Sequence, residues 1–118
     1  MLLVEDEDAV RRVAERILTE TGYHVLTATN GAEALAVLEH HGQPIHLLLT
    51  DVVMPVMNGK ELAEEVVRRC PQARVLFMSG YSGDAIVEHG VLAPDVVFLE
   101  KPFNVVDLQR KVYEVLSS

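Results

Sequence analysis

The sequence predicts an α/β fold in which helices cover both faces of a parallel β-sheet. Apolar segments of strand length alternate five times with segments whose apolar residues recur at helical spacing. The connections between them are short, and right-handed crossovers then leave few other arrangements. A chain of 118 residues can bury one core without disulfides or a structural metal. We therefore expect a single domain over residues 1–118.

Five strands are predicted from short apolar or alternating segments. They lie at residues 2–4, 23–28, 45–50, 74–78 and 95–99. The third strand is mostly apolar, as expected of a strand covered on both faces, and Pro55 and Gly59 prevent its simple continuation. Asp51 follows this strand directly, so we expect Asp51 at the rim of the sheet and not in the core.

Helices are predicted between and after these strands from capping and stop signals. Gly22 ends the first helix, and Asn30 with Glu33 and Asn58 with Glu61 resemble capping pairs at the starts of the second and third. Stop signals follow the second helix at Gly42 and Pro44 and the third at Cys70 and Pro71. Asn104 is the predicted cap of the last helix. A helix around residues 85–87 has weaker periodicity than the others.

The composition indicates a soluble cytoplasmic segment. Hydrophobic residues make up 49% of the chain, but no run approaches the roughly 20 apolar residues that span a membrane. No signal peptide is recognisable, and one cysteine cannot form an internal disulfide. The formal net charge of −8 repels phosphate backbones, so we expect no direct nucleic-acid binding. Because strand residues follow Met1 at once, we expect a segment cut from a longer protein.

Charged and polar side chains follow four of the predicted strands where each strand ends. They are Glu5 and Asp6 after the first strand, Asp51 after the third, Ser79 after the fourth and Lys101 after the fifth. The carboxyl ends of parallel strands share one edge, where open α/β sheets bind ligands. Three neighbouring carboxylates repel one another, and a divalent cation relieves this repulsion. An all-oxygen site suits Mg²⁺ better than zinc.

These residues predict phosphoryl transfer to Asp51. An aspartate carboxylate beside Mg²⁺ can attack a phosphoryl group, because the metal and an ammonium group offset charge on the transferring oxygens. Lys101 supplies the ammonium, and Ser79 can donate a hydrogen bond to a phosphoryl oxygen. Each residue alone has an ordinary alternative, such as a turn former for Asp51 or a surface lysine for Lys101. Their combination favours the functional interpretation.

The motifs around these residues resemble the receiver domain of two-component response regulators over essentially the whole chain. They are Val4-Glu5-Asp6, Thr50-Asp51-Val52-Val53-Met54-Pro55 with Asn58-Gly59, Met78-Ser79-Gly80, and Leu99-Glu100-Lys101-Pro102-Phe103. The resemblance implies a flavodoxin-like, doubly wound (βα)5 sheet with strand order 2-1-3-4-5. It also implies that a phosphohistidine of a sensor histidine kinase, or of its phosphotransfer domain, phosphorylates Asp51. The domain itself would then catalyse only its own phosphorylation and dephosphorylation.

The resemblance further implies a Mg²⁺ site. Glu5 and Asp6 would form its acidic pair, and Asp6, Asp51 and the backbone carbonyl of Val53 would bind the cation directly or through water. Many members have aspartate where this chain has Glu5, which leaves open whether Glu5 reaches the metal directly.

The remaining roles implied by the resemblance concern the switch. Lys101 would contact the phosphoryl group, Ser79 would be the switch hydroxyl, and Phe98 would be the switch aromatic. Phe98 is explained equally well as a core residue. The family often has a cis peptide before the proline, so Lys101-Pro102 is a candidate. Phosphorylation would shift a partner-binding surface around the fourth helix and fifth strand.

Two further expectations concern the subfamily. Val53 and Tyr81 offer no amide or carboxylate to orient an attacking water, so we expect a persistent phosphoryl group. Four segments look like receivers at the end of hybrid sensor histidine kinases, so the parent chain is expected to be such a kinase. They are Asp51-Val52-Val53-Met54-Pro55, Met78-Ser79-Gly80-Tyr81-Ser82, Lys101-Pro102-Phe103 and Lys111-Val112-Tyr113-Glu114-Val115-Leu116.

Two other classes of function remain as alternatives. A Mg²⁺-dependent phosphohydrolase would also form an aspartyl phosphate, but Val53 stands where such an enzyme needs a second carboxylate as general acid. A receiver that acts without phosphorylation is disfavoured by the intact Asp6, Asp51 and Lys101. The sequence leaves open whether phosphorylation causes homodimerisation.

Overall fold

The fold is a five-stranded parallel sheet flanked by helices, as predicted. The computed structural model describes residues 1–54, 56–80 and 97–117. The strands are β1 (Leu2–Val4), β2 (Leu26–Ala28), β3 (Leu47–Asp51), β4 (Arg74–Ser79) and β5 (Phe98–Glu100). The helices within the described residues are α1 (Asp8–Thr21), α2 (Gly31–His41), α3 (Gly59–Arg69) and α4 (Val105–Ser117).

The strand order in the sheet is β2-β1-β3-β4-β5, which confirms the order implied by the family resemblance. Every strand pair is parallel, and β3 lies in the centre with β1 on one side and β4 on the other. Since parallel strands run in one direction, their carboxyl ends all meet at the same edge of the sheet.

Two hydrophobic clusters cover the two faces of the sheet. Leu48 of β3 packs in one cluster together with Leu62 and Val66 of α3. Leu47 and Leu49 of the same strand point to the opposite face and pack in the other cluster, together with residues of α1 and α4. The strand is therefore buried on both faces, which explains its nearly continuous apolar sequence.

The helix ends agree with the predicted signals. Gly22 and Gly42 follow α1 and α2 with φ of 110° and 70°, a left-handed conformation that glycine adopts readily. Asn58 forms a full capping box with Glu61 at the start of α3. Two further predicted caps are confirmed: the Asn30 side chain accepts from Glu33 N, and the Asn104 side chain accepts from Asp107 N.

Strand limits differ from the prediction in four strands, in β4 only by the addition of Ser79 at its end. β2 is limited to residues 26–28 because its partner β1 offers only three residues for pairing. β3 starts two residues later than predicted, after an exposed His46. β5 extends to Glu100, while residues 95–96 of the predicted strand and the helix predicted around residues 85–87 lie outside the described residues.

No helix in the described ranges combines the length and the apolar character that crossing a bilayer requires.

Candidate functional site

Four strand ends bring the predicted site residues to one edge of the sheet. Asp51 is the last residue of β3 and Ser79 the last residue of β4. Glu5 directly follows β1, and Lys101 directly follows β5. Residues that are distant in sequence are therefore adjacent because parallel strands end together.

The Lys101 ammonium bridges two carboxylates at this edge. Its Nζ donates to Oδ1 of Asp51 at 2.7 Å and to Oε2 of Glu5 at 3.1 Å. The side chains of both acids are almost completely buried, with 0% exposure for Glu5 and 3% for Asp51 as whole residues. Buried carboxylates need such a partner, because an uncompensated charge away from water is costly.

Asp6 completes a cluster of three acids. One carboxylate oxygen of each of Glu5, Asp6 and Asp51 lies within 4.8 Å of the others, and Asp6 is the exposed member. An arrangement of three acids with one open side matches the oxygen ligands that Mg²⁺ prefers. Lys101 alone does not neutralise three carboxylates, so the cluster retains a net negative charge that favours a cation.

Asp51 ends β3 at the rim of the sheet, as predicted, and its side chain is nevertheless buried. Burial and the neighbouring Glu5 carboxylate raise the pKa of Asp51 to about 8, and the hydrogen bond from Lys101 opposes them only in part. Without a cation, the Asp51 carboxyl is therefore harder to ionise than a solvent-exposed aspartate.

The pKa of Lys101 is raised above its ordinary value. Burial alone would lower the pKa of this ammonium, but its hydrogen bonds to Asp51 and then Glu5 outweigh that effect. Lys101 is thus held in its charged form, as a group that binds phosphoryl oxygens must be.

The backbone around Asp51 is fixed by close contacts. Gly59 packs directly on the Asp51 carbonyl, where a Cβ atom would lie 2.0 Å from the oxygen. The Gly59 amide donates to Val52 O at 2.8 Å, and the Thr50 hydroxyl donates to Asp51 O at 3.0 Å. The predicted strand break at Gly59 therefore has a specific cause, the close approach of α3 to the end of β3.

The other predicted residues lie around this cluster. Ser79 is buried, and its carbonyl accepts a hydrogen bond from Lys101 N at 2.7 Å. The Lys101-Pro102 peptide is cis, which confirms that prediction. Phe98 is half-buried against the cluster beneath α3, and the Val53 side chain is 60% exposed. Tyr81 lies outside the described residues.

Arg11 also contacts the acidic loop, and it was not predicted from the sequence. Its guanidinium donates to the Glu5 carbonyl at 3.0 Å and to Asp8 Oδ1 at 2.6 Å. The available signal was an arginine on the first turns of the helix that follows the acidic pair, but such an arginine is common on solvated helix faces.

The family model described as the response regulator receiver domain matches residues 1–113 of this chain. The sensor kinase CckA of Brucella abortus (strain 2308) is 40% identical over 116 residues, which are 98% of this chain and 12% of that kinase. The response regulator receiver protein CpdR of the same organism is 36% identical over 116 residues, 98% of this chain and 95% of CpdR. The chain therefore spans nearly all of one relative and a small part of the other.

Solved structures are similar over the same extent. The receiver domain of the hybrid histidine kinase CckA superimposes with a TM-score of 0.80 at 40% identity, covering 98% of this chain and 96% of that domain. The chemotaxis protein CheY4 of Vibrio cholerae superimposes with a TM-score of 0.81 at 29% identity, covering 97% and 95% of the two chains.

Proposed function

The chain belongs to the response regulator receiver domain family, and from this membership we propose that Asp51 accepts a phosphoryl group from a phosphohistidine. The donor is a sensor histidine kinase or its phosphotransfer domain. The observation that carries the proposal is the buried Asp51 carboxylate, which lies 2.7 Å from the Lys101 ammonium and beside two further acids.

The reaction is a transfer between two side chains. A carboxylate oxygen of Asp51 attacks the phosphorus, the bond from phosphorus to the donor imidazole nitrogen breaks, and that nitrogen takes up a proton as it leaves. Lys101 neutralises the Asp51 carboxylate before the transfer and a phosphoryl oxygen after it. Since Lys101 already lies in hydrogen-bonding distance, little rearrangement of this residue is needed.

The residues of the acidic cluster fit Mg²⁺. Asp6 and Asp51, which share one cluster with Glu5, would hold the cation together with the backbone carbonyl of Val53. When bound, Mg²⁺ offsets negative charge on the phosphoryl oxygens and favours the ionised form of Asp51. The raised pKa of Asp51 supports this proposal, because a metal-free site is poorly suited to a nucleophilic carboxylate.

Ser79 and Phe98 couple the phosphoryl group to the surface. The Ser79 hydroxyl donates to a phosphoryl oxygen, and the exposed end of β5 responds through Phe98. Support comes from the backbone link between these strands, in which Lys101 N donates to the carbonyl of Ser79. Phosphorylation thereby changes the surface that partners recognise.

The phosphodonor docks beside Lys101 on the first turns of α1. An apolar groove of about 220 Å³ lies there, lined by Ala9, Val10, Val13, Lys101, Pro102 and Phe103. A helix with an apolar face fits such a groove, and Lys101 links the groove to Asp51. A donor seated on this surface presents its phosphohistidine to the acidic cluster.

The parent protein is proposed to be a hybrid histidine kinase, membrane-anchored or not, whose receiver domain lies in the cytoplasm and passes or receives phosphoryl groups within a relay. The 40% identity to CckA over 98% of this chain supports this assignment. The similarity to CpdR supports a stand-alone regulator as the second architecture.

Incubation with Mg²⁺ and phosphoramidate, followed by intact-mass measurement, tests this function. We expect wild type to gain one phosphoryl mass, Asp51→Asn to gain none, and Asp107→Asn on α4 to behave like wild type. Chelation of Mg²⁺ removes the gain. A phosphoryl adduct on Asp51→Asn contradicts the assignment, and continuous release of phosphate from small esters points to a phosphohydrolase.

A further inference from the structure

We propose that Arg11 is a positioning residue for the cation site, because it holds the loop that carries Glu5 and Asp6. This inference rests on the proposed Mg²⁺-dependent function. Arg11 lies on α1, six residues after Glu5, and touches none of the three carboxylates of the cluster through a hydrogen bond in the described part of the chain.

The guanidinium joins the end of β1 to the start of α1. Nη1 donates to the Glu5 carbonyl oxygen at 3.0 Å, and Nη2 donates to Oδ1 of Asp8 at 2.6 Å. The Arg11 side chain is only 16% exposed, although most arginines on helix surfaces extend into water. The planar guanidinium of arginine donates to two fixed partners at once, a geometry that the ammonium group of lysine does not provide.

The carbonyl that Arg11 binds belongs to the peptide bond between Glu5 and Asp6. The other polar groups of Glu5 are also held, since its N donates to Ala28 O at 3.1 Å and its Oε1 accepts from Glu7 N at 3.1 Å. The Asp6 side chain is exposed, so its position depends on the backbone that carries it. Arg11 therefore orients the peptide plane from which Asp6 reaches the cation site.

The positive charge of Arg11 and its hydrogen bonds are expected to have opposite effects on Mg²⁺ binding. As a positive charge near the acidic loop, Arg11 repels Mg²⁺, so loss of the charge alone should strengthen Mg²⁺ binding. Because Arg11 also fixes the Glu5 carbonyl through a hydrogen bond, it organises the carboxylate ligands, so its loss should weaken Mg²⁺ binding. Partners that orient metal ligands typically change metal affinity by about tenfold or more when removed. The positional effect is therefore expected to exceed the charge effect.

Calorimetric titration of the full chain with Mg²⁺ tests the inference. We expect R11A to raise the Kd for Mg²⁺ by about tenfold and R11K by a smaller factor, since the lysine ammonium can keep one of the two hydrogen bonds that the guanidinium makes. The matched control is R16A, which removes an exposed arginine of the same helix that pairs with Glu20. It should leave the Kd unchanged.

A second measurement separates positioning from general damage to the fold. With phosphoramidate as donor, R11A should raise the Mg²⁺ concentration for half-maximal phosphorylation, while the rate at saturating Mg²⁺ stays within about twofold of wild type. Should R11A fail to fold, R11K against R16K gives the same comparison. A Kd for the Arg11 variants equal to or lower than that of R16A overturns the inference. Absence of Mg²⁺ binding in wild type instead contradicts the proposed function.

Discussion

Asp51 and Lys101 form a buried ion pair across 50 residues of sequence, with Nζ of Lys101 2.7 Å from Oδ1 of Asp51. The pair exists because β3 and β5 end at the same edge of the sheet, each adjacent to β4. The same ammonium also binds Glu5, so Lys101 is shared by two acids that would otherwise repel each other. Phosphoryl chemistry and the stability of the metal-free domain therefore depend on the same contacts.

Replacement of Lys101 should destabilise the domain and impair phosphorylation. In Lys101→Met, Glu5 loses its counter-charge and Asp51 loses its hydrogen-bond donor in a buried site, which we expect to cost about 2 kcal/mol in metal-free buffer at neutral pH. Urea unfolding measures the change. Lys60→Met, which alters an exposed lysine of α3, serves as the control and should be nearly neutral. Equal unfolding free energies for the two variants would show that the buried pair contributes nothing.

The Asp51 carboxyl should itself be destabilising at neutral pH when no Mg²⁺ is present. Its pKa is near 3.8 in the unfolded chain and about 8 in the folded one, so the unfolded state releases the proton first as the pH rises. The carboxyl's contribution to stability is therefore present below pH 3.8 and lost progressively toward about pH 8.

Asp51→Asn removes this titration, and we expect it to be more stable than wild type by about 1–2 kcal/mol at pH 7.5 in chelator. The advantage should disappear near pH 4. Mg²⁺ should stabilise wild type more than the variant, since a ligand of the folded state raises its stability. Thermal unfolding at the two pH values measures this. A variant less stable than wild type in chelator at pH 7.5 would show that the buried carboxyl stabilises the metal-free domain instead.

Gly59 should tolerate no side chain. A Cβ atom there would meet the Asp51 carbonyl oxygen at 2.0 Å, so Gly59→Ala must displace either α3 or the end of β3. We expect a loss of about 3 kcal/mol and slower phosphorylation, because the shift moves Asp51. Gly80→Ala is the matched control, since a Cβ atom at Gly80 would have no heavy atom within 4 Å. A Gly59→Ala protein as stable as Gly80→Ala is the result that refutes this.

The residue at position 53 should set the lifetime of the phosphoryl group. The Val53 side chain is 60% exposed and carries no group that orients a water, so hydrolysis should be slow. Val53→Asn supplies an amide and should speed hydrolysis by about tenfold. Val56→Asn, in the same loop and at a φ of 68° that asparagine tolerates, should have no such effect. Decay is followed by intact mass after removal of the donor, and identical decay in both variants rejects the explanation.

The fold was largely predictable because its signals are local. The capping pairs at Asn30 and Asn58 and the stop at Gly22 depend on neighbouring residues, and the structure contains them as predicted. Strand limits were less predictable, because the length of β2 is set by its partner β1 and not by its own sequence.

The residues that form the site could be predicted from the sequence, but their burial and some of their contacts could not. Asp51 ends its strand, and Glu5 and Lys101 directly follow theirs, so the parallel sheet brings the three residues together whatever the loops do. The burial of Asp51 and the clamp from Arg11 depend on how the acidic loop folds, which no sequence spacing specifies. The stacked rings of His24 and His41, with centroids 6.3 Å apart, were likewise missed because His24 lies in the loop before β2 and His41 at the end of α2.

Direct localisation of the phosphoryl group tests the central claim. After incubation with Mg²⁺ and phosphoramidate, borohydride reduces an aspartyl phosphate to homoserine, which peptide mass mapping then assigns to a position. We predict homoserine at position 51 and at no other aspartate. Homoserine at Asp6 or Asp8, or a stable phosphoryl group on one of the histidines with Asp51 unmodified, would contradict the account.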